Sequence, residues 1–151
     1  MSDAFDAEDV ARLRIALARI SRMLDRQSRG DSLTRTQTSV LGTVARLGPV
    51  RISELAEIEG VNPTMLSRIV AKLEDAGLLR RRPDPADGRA ALVEVTDAGA
   101  AEHRRLRTER TQLLTARLTA MPEAHAAELL AALPALECLA EQPENRSTES
   151  S

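Results

Sequence analysis

A helix predicted for residues 62–76 carries the side chains best suited to chemistry, namely hydrogen bonding and ion pairing. Its apolar residues recur at helical spacing and predict a buried face, which consists of Leu66, Ile69, Val70 and Leu73. The opposite face carries small and hydrogen-bonding residues near its start and cations further along: Thr64, Ser67, Arg68, Ala71 and Lys72. Such side chains can reach base edges in a major groove, while the cations and the helix N-terminus hold phosphates. A solvated face on an ordinary surface helix has the same pattern, so both interpretations stay open at this point.

Capping residues mark the limits of this helix and of the one before it. Asn62 followed by Pro63 is a strong start signal, because asparagine caps exposed N–H groups and proline fits the first turn. A short helix over residues 54–59 precedes it, with Ser53 predicted as the N-cap and Gly60 as the end. Two short helices separated in this way form a helix-turn-helix pattern.

A basic hairpin is predicted directly after this pair of helices. Strands over residues 78–82 and 91–96 are joined by a loop rich in proline, aspartate and glycine. Alternation along the first strand places Arg80 and Arg82 on one side and Arg81 on the other. Arg89 follows Asp87 and Gly88 at the tip, where an arginine can enter a narrow minor groove. Asp87 is expected either to pair with that guanidinium or to cap the turn, and a solvated turn with a weak charge pair is the alternative.

Long helices with apolar stripes are predicted on either side of this region. The first spans residues 6–27, with Val10, Leu13, Leu17, Ile20 and Leu24 at steps of three and four. This spacing is typical of a helix that packs lengthwise against another helix. A second helix is predicted for residues 34–47. Thr96 is placed to cap a helix over residues 97–121, and Pro134 should divide the leucine-rich helical stretch that follows.

The composition restricts the class of protein. The chain has 151 residues and a net charge of −2. Phe5 is its single Phe, Tyr or Trp residue, so the core must be built from aliphatic side chains. Such a composition favours a helical fold over a β-sandwich. Residues 62–92 nevertheless hold six basic side chains against four acidic ones, which is suggestive of a polyanionic partner but not decisive. No apolar run approaches the ~20 residues of a membrane span. One cysteine, Cys138, fits a reducing compartment and predicts a cytoplasmic location.

The order of these motifs resembles the MarR family of bacterial transcriptional regulators. The resemblance covers residues 33–44 (LTRTQTSVLGTV) and residues 52–99, including an Asp-x-Arg wing motif at Asp87 and Arg89. A Leu-x-x-x-Thr-x-x-Gly ending follows at Leu92, Thr96 and Gly99. The chain departs from many relatives at residues 88–90 (Gly-Arg-Ala), where they carry a second basic residue beside the motif arginine.

The resemblance implies a fold that is mainly α with a small β-hairpin wing. A winged helix-turn-helix DNA-binding domain would occupy residues 33–96, residues 6–29 and 97–141 would form a helical dimerisation region, and residues 1–5 and 142–151 would be flexible tails. The implied DNA contacts are Asn62, Pro63, Thr64, Ser67, Arg68, Lys72, Arg80, Arg82, Asp87 and Arg89. The implied dimer contacts are Val10, Leu13, Leu17, Ile20, Leu129, Leu133 and Leu136.

The function implied by the resemblance is that of a repressor that binds a pseudopalindromic operator in double-stranded DNA as a homodimer. Family members commonly bind small aromatic or phenolic effectors between the dimer helices and the DNA-binding lobe. In this chain such a small-molecule effector would meet aliphatic side chains and arginines such as Arg12, Arg14 or Arg19. Neither a cofactor nor a metal is expected.

Other functional classes find less support in the residues. An enzyme is disfavoured because the chain has no glycine-rich phosphate loop, nucleophile elbow or nucleophile–base pair. A helical protein-interaction module that docks through the hairpin stays open as a rival. Cys138 is expected to be a small buried hydrophobe rather than a thiol sensor. His103 and His125 are too far apart in the chain for a typical metal site and are predicted at the surface.

Overall fold

The computed structural model describes residues 5–27 and 33–141. Over these residues the elements are α1 (Ala7–Gln27), α2 (Arg35–Leu47), β1 (Val50–Arg51), α3 (Ile52–Glu59), α4 (Pro63–Asp75), β2 (Leu79–Pro83), β3 (Ala91–Val95), α5 (Asp97–Ala120), α6 (Glu123–Ala131) and α7 (Leu133–Glu141). The chain forms two compact units, Met1–Thr111 and Gln112–Ser151. The tails predicted for residues 1–5 and 142–151 lie outside the described residues, apart from Phe5, which is exposed.

An aliphatic core holds the first unit together. It forms where α2, α3, α4 and the sheet meet, and its fully buried side chains are Val40, Leu41, Val44, Leu55, Leu66, Val70, Leu73 and Val93. Burial of each leucine or valine contributes about 1.5–3 kcal/mol, so this cluster is the main support of the fold. The core contains no aromatic side chain, as the composition requires.

The sheet has three strands in the order β1-β3-β2, all antiparallel. The hairpin of β2 and β3 is the predicted one, with Arg81 opposite Val93. The pairing of β1 with β3, which places Val50 opposite Val93, was not predicted. A strand of two residues is too short to show the alternation that identifies strands in a sequence.

The start of α3 differs from the sequence prediction. Ser53 was expected to be the N-cap, but Arg51 takes that position in an extended conformation, and no side chain caps the helix. The reason is that β1 continues to Arg51 and the chain turns into α3 immediately, so Ser53 is already inside the first turn. The predicted start of α2 near residue 34 is confirmed, and the structure adds that the Thr34 hydroxyl caps this helix by accepting a hydrogen bond from the Gln37 N–H (3.2 Å).

Thr96 joins three elements at one corner. Its hydroxyl accepts a hydrogen bond from the Gly99 N–H at 3.0 Å, which caps α5 as predicted. The same hydroxyl donates to the Gly77 carbonyl at 2.6 Å, and the Thr96 N–H donates to the Leu78 carbonyl at 3.1 Å. A Cβ atom on Gly99 would lie 2.0 Å from the Leu78 carbonyl oxygen, so this close approach requires glycine.

The helices α1, α6 and α7 keep apolar side chains at their surfaces. The exposed ones include Val10, Leu13, Leu17, Ile20, Leu129 and Leu133, whereas Leu136 is half-buried. The division at Pro134 is confirmed, because α6 ends at Ala131 and proline occupies the first turn of α7. Cys138 is exposed, so the prediction that it is buried is wrong. None of the described helices has the length and apolarity needed to cross a membrane.

Candidate nucleic-acid interface

The helix α4 presents the predicted polar face to solvent. Asn62, Pro63, Thr64, Arg68 and Lys72 are exposed, and Ser67 is half-buried. The Asn62 side-chain oxygen accepts a hydrogen bond from the Met65 N–H at 2.8 Å, which confirms the predicted cap. The opposite face is buried in the core through the four predicted apolar residues. The burial of one face therefore fixes which side chains can meet a partner.

Met65 is an exposed residue of this helix that sequence reasoning missed. Its side chain is 47% exposed, although methionine is an apolar residue that usually packs inside. Helical spacing places it beside Arg68 and Lys72, at the edge of the polar face. An apolar group in this position can contact the methyl group of thymine in a major groove.

Arg81 connects the hairpin to α4. Its Nε atom lies 2.7 Å from the Glu74 carboxylate, and its Nη2 atom donates to the Ser67 carbonyl oxygen at 3.1 Å. Both partners belong to α4, whereas Arg81 lies in β2. The middle arginine of the basic strand thus braces the hairpin against the helix.

The other two strand arginines share a partner on β3. Arg80 and Arg82 lie on one side of the hairpin, as predicted, and pair with the two carboxylate oxygens of Glu94 at 2.6 and 3.4 Å. Both arginine side chains are well exposed. Because both guanidinium groups are exposed, they can also contact an external phosphate.

A closed turn holds the tip of the hairpin. The Asp87 carboxylate accepts a hydrogen bond from the Arg89 N–H at 3.0 Å, and the Asp87 carbonyl accepts one from the Ala90 N–H at 3.0 Å. Of the two roles expected for Asp87, the structure therefore shows turn capping. The Arg89 side chain is exposed and makes no ion pair with the described residues. Its guanidinium is thus available to an external anion.

A buried carboxylate anchors the base of the loop. Asp84 is 6% exposed and lies 2.7 Å from both Nε and Nη2 of Arg51 in β1. Its other oxygen accepts the Ala86 N–H at 2.9 Å. The Ala86 N–H and, more weakly, the Arg51 guanidinium hold the pKa of Asp84 below its ordinary value of 3.8, against the opposing effect of burial.

A cleft rich in arginine lies elsewhere in the first unit. It has a volume of about 520 Å³, and its charged or titratable lining consists of Asp25, Arg35, Arg46, His103, Arg107 and Arg110. The Asp25 carboxylate lies 3.1 Å from Arg35 and 3.9 Å from Arg110. The Nε atom of Arg110 is buried and has no hydrogen-bond partner among the described residues. A cleft with four guanidinium groups and one carboxylate favours an anion.

One sequence prediction needs correction at this cleft. His103, which was expected at the surface, is half-buried and packs against Gly42 of α2. Burial and the nearby cations Arg107, Arg46 and Arg110 lower the pKa of His103 below 6.5. The arginines proposed for an effector, Arg12, Arg14 and Arg19, do not line the cleft, and Arg12 and Arg19 border a separate recess on α1. His125 is exposed, as predicted.

The fold and the exposed groups define a class of protein. A capped helix with a polar face, braced against a hairpin with an arginine at its tip, is the architecture of a winged helix-turn-helix DNA-binding regulator. The profile of the MarR family matches residues 33–91. The chain belongs to the MarR family of transcriptional regulators.

Known proteins support this assignment. An HTH-type transcriptional regulator of Mycobacterium tuberculosis is 34% identical over 116 residues, which cover 77% of this chain and 81% of that protein. The HTH-type transcriptional repressor NicR of Pseudomonas putida is 33% identical over 59% of this chain and 56% of its own length. The solved structure of the Multiple Antibiotic Resistance Repressor, MarR, superposes with a TM-score of 0.75 at 23% identity and covers 93% of this chain and 98% of that one. The relatives are thus transcriptional regulators, not enzymes.

Proposed function

We propose that this protein is a cytoplasmic repressor that binds a pseudopalindromic operator as a homodimer and is released by a small anionic effector. The observation that carries the DNA-binding part is the exposed face of α4, together with the exposed guanidinium of Arg89 at the tip of the hairpin. Two such lobes related by a two-fold axis would place α4 helices in successive major grooves, with half-sites about 10 bp apart. The likeness to the repressor of Pseudomonas putida supports repression over activation.

The homodimer is supported by the apolar surface of the long helices. Val10, Leu13, Leu17 and Ile20 are each 41–52% exposed and follow the spacing of a helix that packs lengthwise on another. Leu129 and Leu133 add further exposed apolar surface in the second unit. An exposed apolar stripe such as that of α1 marks an interaction site on a protein surface.

The effector site is supported by the arginine-lined cleft. Among the described residues the buried Nε atom of Arg110 has no acceptor, and a carboxylate or phenolate oxygen would supply one. Calorimetric titration with hydroxybenzoate anions is expected to show binding to the wild-type protein and none to Arg110→Met. If the wild-type protein gave no heat of binding but still bound DNA, the proposal of an effector would be rejected and the proposal of a repressor would stand.

A salt titration of operator binding tests the DNA interface. The fragment beside the protein's own gene is mixed with wild-type protein, Arg89→Ala and Arg104→Ala in gel-shift assays at several salt concentrations. Arg104 is an exposed arginine of α5 outside the proposed interface, so it controls for the loss of one charge. Arg89→Ala should weaken binding and reduce the slope of log K against log salt by about one unit.

The same assay distinguishes the rival class. A protein-interaction module would bind the fragment no better than random DNA and would show no steep salt dependence. Equal affinities for Arg89→Ala and Arg104→Ala, in a protein that does bind the fragment, would show that the wing tip does not touch DNA.

A further inference from the structure

The carboxylate of Glu59 joins the helix-turn-helix to α2 through both of its oxygens. Thr43 Oγ1 donates to one oxygen at 2.5 Å, and Ser39 Oγ donates to the other at 2.9 Å. Ser39 and Thr43 lie one turn apart on α2, so a single carboxylate spans one turn of that helix. Hydrogen bonds to an ionised acceptor are about twice as strong as neutral ones, which makes this the strongest polar link described between α2 and α3.

Glu59 is well placed to determine where the recognition helix begins. It is the last residue of α3, and Gly60 follows in the left-handed conformation with φ of 65°. Val61 packs partly against the core, and Asn62 then caps α4. A shift of the Glu59 carboxylate therefore moves the turn from which the DNA-reading face starts.

The other end of this hydrogen-bond network reaches the arginine-lined cleft. Ser39 and Arg46 both line the cleft. Arg46 Nη2 also donates to Thr43 Oγ1 at 3.3 Å, and the Thr43 side chain is buried. The network thus runs from a cationic group in the cleft, through a buried hydroxyl, to the end of α3.

We propose that Glu59 is the positioning residue through which the cleft acts on α4, with Arg46 as the input and Thr43 as the link. Donation from Arg46 polarises the Thr43 hydroxyl and strengthens its bond to Glu59, since hydrogen bonds in a chain reinforce one another. An anion that draws the Arg46 guanidinium into the cleft removes this support and loosens the α3–α4 turn. The proposal rests on the proposed DNA-binding function and does not depend on which anion binds.

A double-mutant cycle on operator affinity tests the proposal without a ligand. Arg46→Met removes the guanidinium, as capture by an anion would, and Thr43→Val removes the link. Each change should weaken operator binding roughly threefold to tenfold. The double variant should bind about as tightly as Thr43→Val alone, because Arg46 acts only through Thr43.

Arg107→Met provides the matched control, since Arg107 lines the same cleft but, among the described residues, forms no hydrogen bond or ion pair with Thr43 or Glu59. The fold-change in operator affinity caused by Arg107→Met should multiply with that caused by Thr43→Val, because the two residues act independently. If Thr43→Val fails to fold by circular dichroism, Glu59→Gln takes its place in the same cycle.

Three results would overturn the proposal. In the first, the losses of operator affinity caused by Arg46→Met and Thr43→Val multiply in the double variant. In the second, Arg46→Met leaves operator affinity unchanged. Either result would reject the link from Arg46 to Glu59, but the proposed repressor function would stand. Failure of the wild-type protein to prefer the operator fragment over random DNA would instead reject the proposed function, and the link with it.

Discussion

At the scale of single residues, the arginine side chains in and beside the wing have different roles. Arg89 is held by a capped turn with its guanidinium exposed, whereas Arg51 is committed to the buried Asp84 carboxylate. Sequence reasoning treated the loop as a set of turn residues and singled out only its tip. It missed Asp84 because the partner lies 33 positions earlier in the chain, and no local spacing reveals such a pair.

The Asp84 carboxylate should make the wing sensitive to acid. Because the pKa of Asp84 is lowered in the folded protein, its ionised form contributes stability that is present above pH 3.8 and is lost as pH falls through the folded value. Asp84→Asn should therefore lower the free energy of unfolding at neutral pH and flatten its dependence on pH below about pH 5, where the unfolded carboxyl begins to take up a proton. Urea denaturation followed by circular dichroism at each pH measures both quantities.

Asp87→Asn serves as the comparison for that experiment, because Asp87 is an exposed carboxylate of the same loop. An equal fall in stability with acid for the wild-type protein and Asp84→Asn would show that Asp84 is not the group responsible.

At the scale of elements, the brace between the hairpin and α4 determines how two reading elements are oriented. Arg81 can act either as this brace or as a contact to a DNA phosphate. Variants that change the net charge in opposite directions distinguish these two roles. Arg81→Gln and Glu74→Gln both break the ion pair, but they change the net charge in opposite directions. If Arg81 acts as a brace, both variants should lose operator affinity, roughly threefold to tenfold, and about 0.2–1 kcal/mol of stability.

Gel-shift titrations beside thermal melts check this expectation. A phosphate contact would give a different result, in which Arg81→Gln weakens binding while Glu74→Gln, with one acidic group fewer, binds as well as the wild-type protein or better.

The elements themselves were largely predictable from the sequence. Helix starts at Thr34 and Asn62 and the cap at Thr96 follow from side chains that bond to backbone groups two or three residues away, so local spacing reveals them. The strand β1, the start of α3 and the link from Glu59 to α2 depend on contacts between distant segments. The exposure of Met65 was likewise not predictable, because side-chain type alone suggests burial.

At the scale of the whole molecule, one lobe is expected to read only half an operator. The Leu17 side chain is 42% exposed on the stripe of α1. Leu17→Glu should place a charge in the proposed interface and give a monomer by analytical ultracentrifugation. Loss of bivalent binding should then reduce operator affinity by roughly a hundredfold or more.

Ala18→Glu is the matched control, since Ala18 is exposed on the same helix but lies off the stripe. It should remain a dimer with near wild-type affinity. A monomeric Leu17→Glu variant that still bound its operator tightly would contradict the dimer proposal.

The Thr96 corner also has a consequence for protein engineering. Both ends of the hairpin are fixed there, since Thr96 bonds to Gly77 and Leu78 before α5 begins. Beyond Asp84, which is paired with Arg51, the loop between β2 and β3 is largely exposed, and loop tips of this kind tolerate replacement well. The segment from Pro85 to Ala90 is therefore a suitable site for loop grafting. Replacing it with the loop of a relative should change the DNA preference of the wing tip while the rest of the fold stays unchanged.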